Sequence, residues 1–232
     1  MLAACCLSAG LLTLPTALAE ADGTRVNRAL LIGVDDFVSR PSIYPASTNN
    51  VFAMQAALQA SSIPFETIMI PDVPVTDEAA LAELIASTFA DADADDVSYL
   101  YLCTHGEYDG KQGSEPALLL SDGVKEGRLT PAALEAALNK VPGVKVILLD
   151  ACYSGAFIGK GVREQPKKLC FLGDQYKVIA SSGAISDQAR TSSRNEAFAS
   201  ESSGFEKSHS IEHSRITTLS CGRMVFGALR VY

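Results

Sequence analysis

Five unbroken apolar runs constrain the fold more than any other feature of this sequence. They are Arg28–Val34 (RALLIGV), Phe65–Ile70 (FETIMI), Val97–Thr104 (VSYLYLCT), Val144–Leu149 (VKVILL) and Tyr176–Ala180 (YKVIA). A strand with one wet face alternates polar and apolar residues, so a run without alternation needs cover on both faces. Between these runs, apolar residues recur at helical spacing: Val51, Met54 and Leu58, then Leu81, Leu84, Ile85 and Phe89, then Leu134, Leu138 and Val141. Ser47 and Thr76 stand where helix N-caps are needed, and Thr130 precedes a first-turn Pro131. The alternation of strand and helix predicts an α/β fold, a three-layer αβα sandwich around a mostly parallel sheet. Ala117–Ser121 followed by Asp122-Gly123 predicts a short hairpin inserted after the third strand.

Sheets of this kind bind ligands beyond the carboxyl ends of their strands. The residues to interrogate are therefore Asp35 and Asp36, Thr104 to Glu107, Asp150 to Gly155, and Ser181 to Gly183. Two of them can do covalent chemistry. His105 follows the third long run, and Cys152 follows the fourth at a distance of 47 positions. A thiol with an ordinary pKa of about 8.5 is mostly protonated at neutral pH, but beside an imidazole it can ionise and attack a carbonyl. The imidazole can then protonate a leaving amine. The backbone N–H groups of Gly106 and Cys152 are the natural donors to the oxyanion that develops. Taken alone, Cys152 reads as a buried structural cysteine and His105 as a hydrogen-bonded loop histidine; their pairing at two strand ends is what favours catalysis.

Other chemistries find less support. The 232-residue chain carries 27 acidic and 19 basic residues, a net charge of −8, with no basic stripe interleaved with aromatics. That balance argues against nucleic acid as a partner. Six cysteines without Cys-x-x-Cys spacing suggest neither a disulfide scaffold nor structural zinc. Cys103, within an apolar run, reads as core. The acidic run Asp91 to Asp96 reads as a solvated loop; it lacks the glycine and terminal glutamate of a calcium loop, yet leaves calcium open. Asp35-Asp36 after the first strand suggests a phospho-receiver domain, but the phosphoacceptor that should end the third strand is replaced by Thr104-His105.

The segments LLIGV (30–34), YLCTHGE (101–107) and LLDACYSG (148–155) resemble, in sequence and in order, the caspase, metacaspase and clostripain-like cysteine peptidases. The resemblance covers about Asn27 to Arg190 and implies a His105/Cys152 dyad, oxyanion donors at the Gly106 and Cys152 amides, protein or peptide substrates, and no catalytic cofactor. It further implies that Asp150, two positions before the nucleophile, lines a pocket for Arg or Lys at P1. A second pocket acid is expected within an Asn-Asp-Ala-x-x-Met segment. Here Asn50 replaces it, in Asn49 to Met54, so the basic preference should be weak unless Asp35 or Asp36 compensates. The residues that flank the nucleophile of Asp-cleaving caspases are absent. The reading is a cysteine endopeptidase; its rival is an inactive caspase-like module that acts through protein binding.

The domain lies within residues 24–190. Residues 1–19 read as an export signal ending in Ala17-Leu18-Ala19, with a lipoprotein-like box at Leu2 to Cys5, so the expected location is secreted or cell-surface, with membrane contact only through that terminus. Residues 191–232 lose periodicity and read as an atypical, disordered or truncated segment. The basic link Gly159 to Lys168 is the expected place for self-processing, near Lys160, Arg163, Lys167 or Lys168.

Overall fold

The computed structural model describes residues 23–111, 114–159 and 169–183, with the backbone of residues 217–218. The export signal, the basic link from residue 160 onward and most of the C-terminal segment lie outside the described residues.

Strands β1 (Asn27–Gly33), β2 (Thr67–Met69), β3 (Val97–Cys103), β7 (Val144–Asp150), β8 (Tyr176–Ala180) and β9 (Thr217–Thr218) form one sheet in the order β2-β1-β3-β7-β8-β9. Every pairing in it is parallel. Strands β4 (Gly106–Glu107), β5 (Ala117–Ser121) and β6 (Glu126–Leu129) form a small antiparallel sheet that includes the expected hairpin. The helices are α1 (Ala46–Gln59), α2 (Glu78–Thr88), α3 (Pro131–Leu138) and the short α4 (Ser154–Phe157).

The unbroken apolar runs divide by parity into two cores, as double coverage requires. Leu30, Ile32, Leu100, Leu102, Ile147 and Leu149 pack with Leu81 and Ile85 of α2 and with Leu134 and Leu138 of α3. Leu31, Tyr99, Tyr101, Cys103 and Leu148 pack on the other face with Val51 and Met54 of α1. Each fully buried aliphatic side chain contributes about 1.5–3 kcal/mol, so this covering of both faces is the main stabilising term. It makes the protein a three-layer αβα sandwich, with α1 the helix on one face among the described residues.

Several local expectations are corrected. Ser47 lies inside α1, whose N-cap is Pro45, a residue with no side-chain acceptor. The carboxylate of Asp35 does the capping from the end of β1: Oδ1 accepts from the Ser47 amide at 2.8 Å, and Oδ2 from the Thr48 amide at 3.0 Å and its hydroxyl at 2.5 Å. The cap of α2 is Asp77 rather than Thr76, accepting from the Ala80 amide at 2.8 Å. Thr130 caps α3 as expected, accepting from the Ala133 amide at 3.2 Å ahead of Pro131. The edge strand β2 is shorter than its apolar run, because Phe65 leaves the ladder to pack edge-on against Tyr99 at 4.9 Å.

The acidic run is not wholly a solvated loop. Asp96 is 3% exposed and lies at the end of the sheet opposite His105 and Cys152, where its carboxylate meets the buried Arg28 guanidinium at 2.6 Å and the Val26 amide at 2.8 Å. Gly143, at φ 72°, passes so close that an added Cβ would sit 2.3 Å from the Asp96 carbonyl oxygen. Among the described residues, no group of three or more His, Cys, Asp or Glu is gathered for a metal ion. Burial disfavours the Asp96 charge, but the Val26 amide and Arg28 outweigh it and hold the carboxyl below the usual range.

Removing Asp96 would leave the buried Arg28 with only the exposed Glu66 carboxylate, 2.7 Å from its Nε, and the Val26 amide without its acceptor, so Asp96→Ala should cost up to about 3–5 kcal/mol in urea unfolding. Because the folded carboxyl is depressed, its stabilisation is complete above the ordinary carboxylate range and is lost as pH falls through the folded value. The acid limb of the stability curve should therefore flatten in the variant, and a wild-type-like limb would contradict this assignment.

Candidate active site

The parallel register of β3 and β7 determines what meets at their tips. Cys103 lies opposite Asp150, so His105 and Cys152 each come two residues after a matched pair. The Thr104 amide donates to the Asp150 carbonyl at 3.2 Å, carrying the pairing one step past the strand. Gly106 then passes directly over the Cys152 backbone. A Cβ on Gly106 would sit 1.8 Å from the Cys152 carbonyl oxygen, which no side chain can satisfy. That contact accounts for the glycine after His105 on steric grounds.

A cleft of about 690 Å³ opens over these tips, with His105, Gly106, Cys152 and Tyr153 in its lining and Arg40, Glu107 and Arg128 along its wall. The imidazole of His105 is half-buried, with the Phe37 ring 4.6 Å away centroid to centroid. Its Nε2 lies 3.2 Å from the Pro41 carbonyl oxygen. A carbonyl can only accept, so Nε2 carries the proton in that contact, and Nδ1 is the ring nitrogen left for proton exchange.

Cys152 sits at a sharp strand-to-helix turn. Tyr153 adopts the left-handed conformation at φ 58°, sparse for a bulky side chain, and α4 begins at the next residue. Ser182, just past β8, ties the turn down. Its hydroxyl donates to the Ala151 carbonyl at 2.8 Å and accepts from the Ser154 amide at 3.1 Å, while its carbonyl accepts from the Gly155 amide at 2.9 Å. Three adjacent parallel strands thus converge on the chain around Cys152.

Asp150 faces the α1 side of the same tip. Its Oδ2 accepts from the Tyr101 hydroxyl at 2.9 Å, the Asn50 amide at 3.2 Å and the Cys103 thiol at 3.7 Å. Its Oδ1 has no hydrogen-bond donor among the described residues. Asn50 therefore acts as a donor that orients the carboxylate. Burial, then the Asp150 charge, pushes the Cys103 thiol up to about 11. Burial, with Cys103 and Asp150 beside it, likewise keeps the Tyr101 phenol protonated.

The sequence-derived residues are thus brought together in part. His105, Gly106 and Cys152 share the cleft; Asp150 and Asn50 form a pair beside it without lining it. Both carboxylate oxygens of Asp35 are committed to α1, and Asp36 is exposed against the hairpin turn at Gly123. Neither joins Asp150. Sequence reasoning missed Pro41, because a backbone carbonyl leaves no signature, and it missed the Ser154–Ser182 clasp, although Ser182 lay among the strand-end residues worth interrogating.

One family model agrees with this architecture. The family model of the caspase domain matches residues 26–219, and the chain belongs to that family of cysteine peptidases. The match and the pairing of β9 both extend past residue 190. No curated protein matches the sequence. A crystal structure of a protein from Geobacter sulfurreducens is similar at a TM-score of 0.44 and 19% identity, covering 56% of this chain and 51% of that one. This chain thus spans about half the length of that structure.

The cysteines should separate chemically. At pH 8 about a thousandth of a thiol with the Cys103 pKa is ionised. Brief treatment with iodoacetamide should therefore modify Cys152 and spare Cys103, as read by peptide mass mapping. Preferential labelling of Cys103 would contradict the assigned surroundings.

Proposed function

We propose that this protein is a cysteine endopeptidase acting through Cys152 and His105. The observation that carries the proposal is their placement on the paired tips of β3 and β7 in one cleft, with His105 Nε2 committed to Pro41 and Nδ1 left for the thiol proton. The thiolate sulfur bonds to the scissile carbonyl carbon, and the carbonyl π electrons move to oxygen. The tetrahedral intermediate collapses by expelling the amine, which takes the proton held on imidazole. Water, deprotonated by the same imidazole, then hydrolyses the thioester and restores the thiol.

The developing oxyanion requires hydrogen-bond donors aimed into the cleft. The His105 carbonyl accepts from the Leu119 amide at 2.9 Å, and Gly106 faces Leu118. Gly106 therefore occupies a ladder position whose own N–H points away from β5. Its amide, with that of Cys152, is the proposed oxyanion site.

Asp150 is the proposed determinant for Arg or Lys at P1, since Oδ2 is anchored by three donors and Oδ1 remains to meet a cationic side chain. With Asn50 supplying orientation in place of a second negative charge, the preference is modest. Self-processing in the basic link and export through residues 1–19 belong to the same proposal and rest on the sequence alone.

The test is a series of peptides bearing Arg, Lys, Asn, Asp or Leu at P1. Cleavage should favour Arg and Lys, and Cys152→Ala and His105→Ala should each lower kcat by about three orders of magnitude or more. Asp150→Asn should reduce kcat/KM for Arg peptides by about tenfold to a hundredfold, with little effect on Leu peptides. Absence of cleavage by wild-type protein would favour a caspase-like binding module, and cleavage indifferent to both dyad substitutions would remove the mechanism.

A further inference from the structure

The chain between β1 and α1 has no secondary structure where it crosses the cleft, and Val38, Ser39 and Arg40 are exposed. Its own backbone closes it at the ends with one hydrogen bond, from the Ile43 amide to the Asp35 carbonyl at 2.8 Å, and of residues 37 to 41 only Phe37 is buried. Yet each residue from Phe37 to Pro41 is engaged, and the contacts fall into two sets. Phe37 and Pro41, the two ends, touch His105: one with its ring, the other with its carbonyl. The three residues between them are held by carboxylates of the antiparallel sheet. Glu126 Oε2 accepts from the Val38 amide at 2.9 Å and the Ser39 amide at 3.2 Å, while Oε1 accepts from the Ser39 hydroxyl at 2.5 Å. Glu107 Oε1 accepts from Arg40 Nη2 at 2.9 Å, and the same carboxylate pairs with Arg128.

Glu126 is 87 positions from Ser39 in sequence, at the turn end of the β5–β6 hairpin, paired with Ser121. The hairpin turn is itself rigid: the Asp122 carboxylate accepts from the Val124 and Lys125 amides at 2.8 and 2.6 Å. Glu107 directly follows His105-Gly106 on β4. The antiparallel sheet therefore fixes both the backbone that carries His105 and the segment that supplies its hydrogen-bond acceptor. We propose that Glu126, assisted by Glu107, is a positioning residue for His105: it clasps Phe37 to Pro41 so that the Pro41 carbonyl and the Phe37 ring hold the imidazole in one orientation toward Cys152. Without the clasp, residues 38 to 41 are exposed loop tethered by the buried Phe37 and the Ile43–Asp35 hydrogen bond alone, and the Pro41 acceptor is no longer fixed. Misplacement by about an ångström at a reacting group is enough for losses on the order of a hundredfold.

This inference rests on the peptidase reading for its kinetic part and stands apart from it in its structural part. The comparison is between Glu126→Ala, which removes all three hydrogen bonds, and Glu126→Gln, whose carbonyl oxygen can accept from both amides while its NH₂ donates to Ser39 Oγ. In the full chain with 13C-labelled histidine, ring relaxation of His105 is measured; His209 and His213 are distinguished by a His105→Ala spectrum. Wild type and Glu126→Gln should show a His105 ring nearly as ordered as rigid backbone, with an order parameter of about 0.8 or more, and Glu126→Ala should fall below about 0.6. With an Arg-P1 peptide, Glu126→Ala should lose kcat about tenfold to a hundredfold with KM within about twofold, and Glu126→Gln should recover most of it. Should Glu126→Ala fail to fold, Ser39→Ala, which removes one bond from an exposed side chain, should give a smaller loss of ring order in the same direction.

A His105 ring as ordered in Glu126→Ala as in wild type, or already mobile in wild type, would overturn the proposal, as would a glutamine variant that behaves like alanine. If wild-type protein cleaves no peptide, the relaxation data still decide the clasp, so failure of the peptidase reading and failure of the clasp remain distinguishable.

Discussion

The parallel register between β3 and β7 is the constraint on which the rest of the structure depends. Cys103 opposite Asp150 places the next residues of the two strands side by side, the Thr104–Asp150 hydrogen bond holds them together, and the near contact of Gly106 with the Cys152 carbonyl leaves no room for a side chain between them. A shift of one residue would turn His105 and Cys152 to opposite faces and also exchange the two cores, because strand side chains alternate. The apolar residues that stabilise the sheet and the reactive residues at its end are therefore governed by one register. Leu100, Leu102, Ile147 and Leu149 cannot keep their places in the α2/α3 core unless the tips are aligned as they are.

From that alignment the division of labour among the layers follows. The α1 face receives Asp150, Tyr101, Cys103 and Asn50, where two buried side chains and the exposed Asn50 all donate to one oxygen of a half-buried carboxylate. The antiparallel sheet adds a wall bearing Glu107 and Arg128, and through Glu126 it reaches back to the segment after β1. At the other end of the sheet, Arg28 and Asp96 close the core with a buried ion pair. Charges at the two ends thus differ in setting: Arg28 and Asp96 are buried and pair with each other, with Glu66 and with the Val26 amide, whereas Glu107 and Arg128 pair in the wall of the cleft.

Much of this was legible in the sequence because it depends on local pattern. Short runs without polar alternation read as doubly covered strands, so the sandwich, all five strands of those runs, with β2 shorter than its run, and the positions of His105 and Cys152 at strand ends follow from reading along the chain. What was not legible depends on partners far away in sequence. Ser47 has the chemistry of a cap, but Asp35 arrives from β1 and performs that role, which also removes Asp35 from any pocket. Asp96 sits in an acidic run typical of solvated loops, and only the fold brings Arg28 to it. Pro41 acts through a carbonyl that every residue possesses. The two residues of β9 carry no apolar run, so the sheet extends where the sequence shows no strand.

The most direct test of the central claim is covalent capture by a peptidyl acyloxymethyl ketone carrying Arg at P1, followed by intact-mass and peptide analysis. The account predicts one adduct per chain, on the Cys152 sulfur, formed much more slowly in His105→Ala and blocked by excess Arg-P1 peptide. An adduct on Cys103 or Cys170, or capture at Cys152 at the same rate without His105, would contradict it.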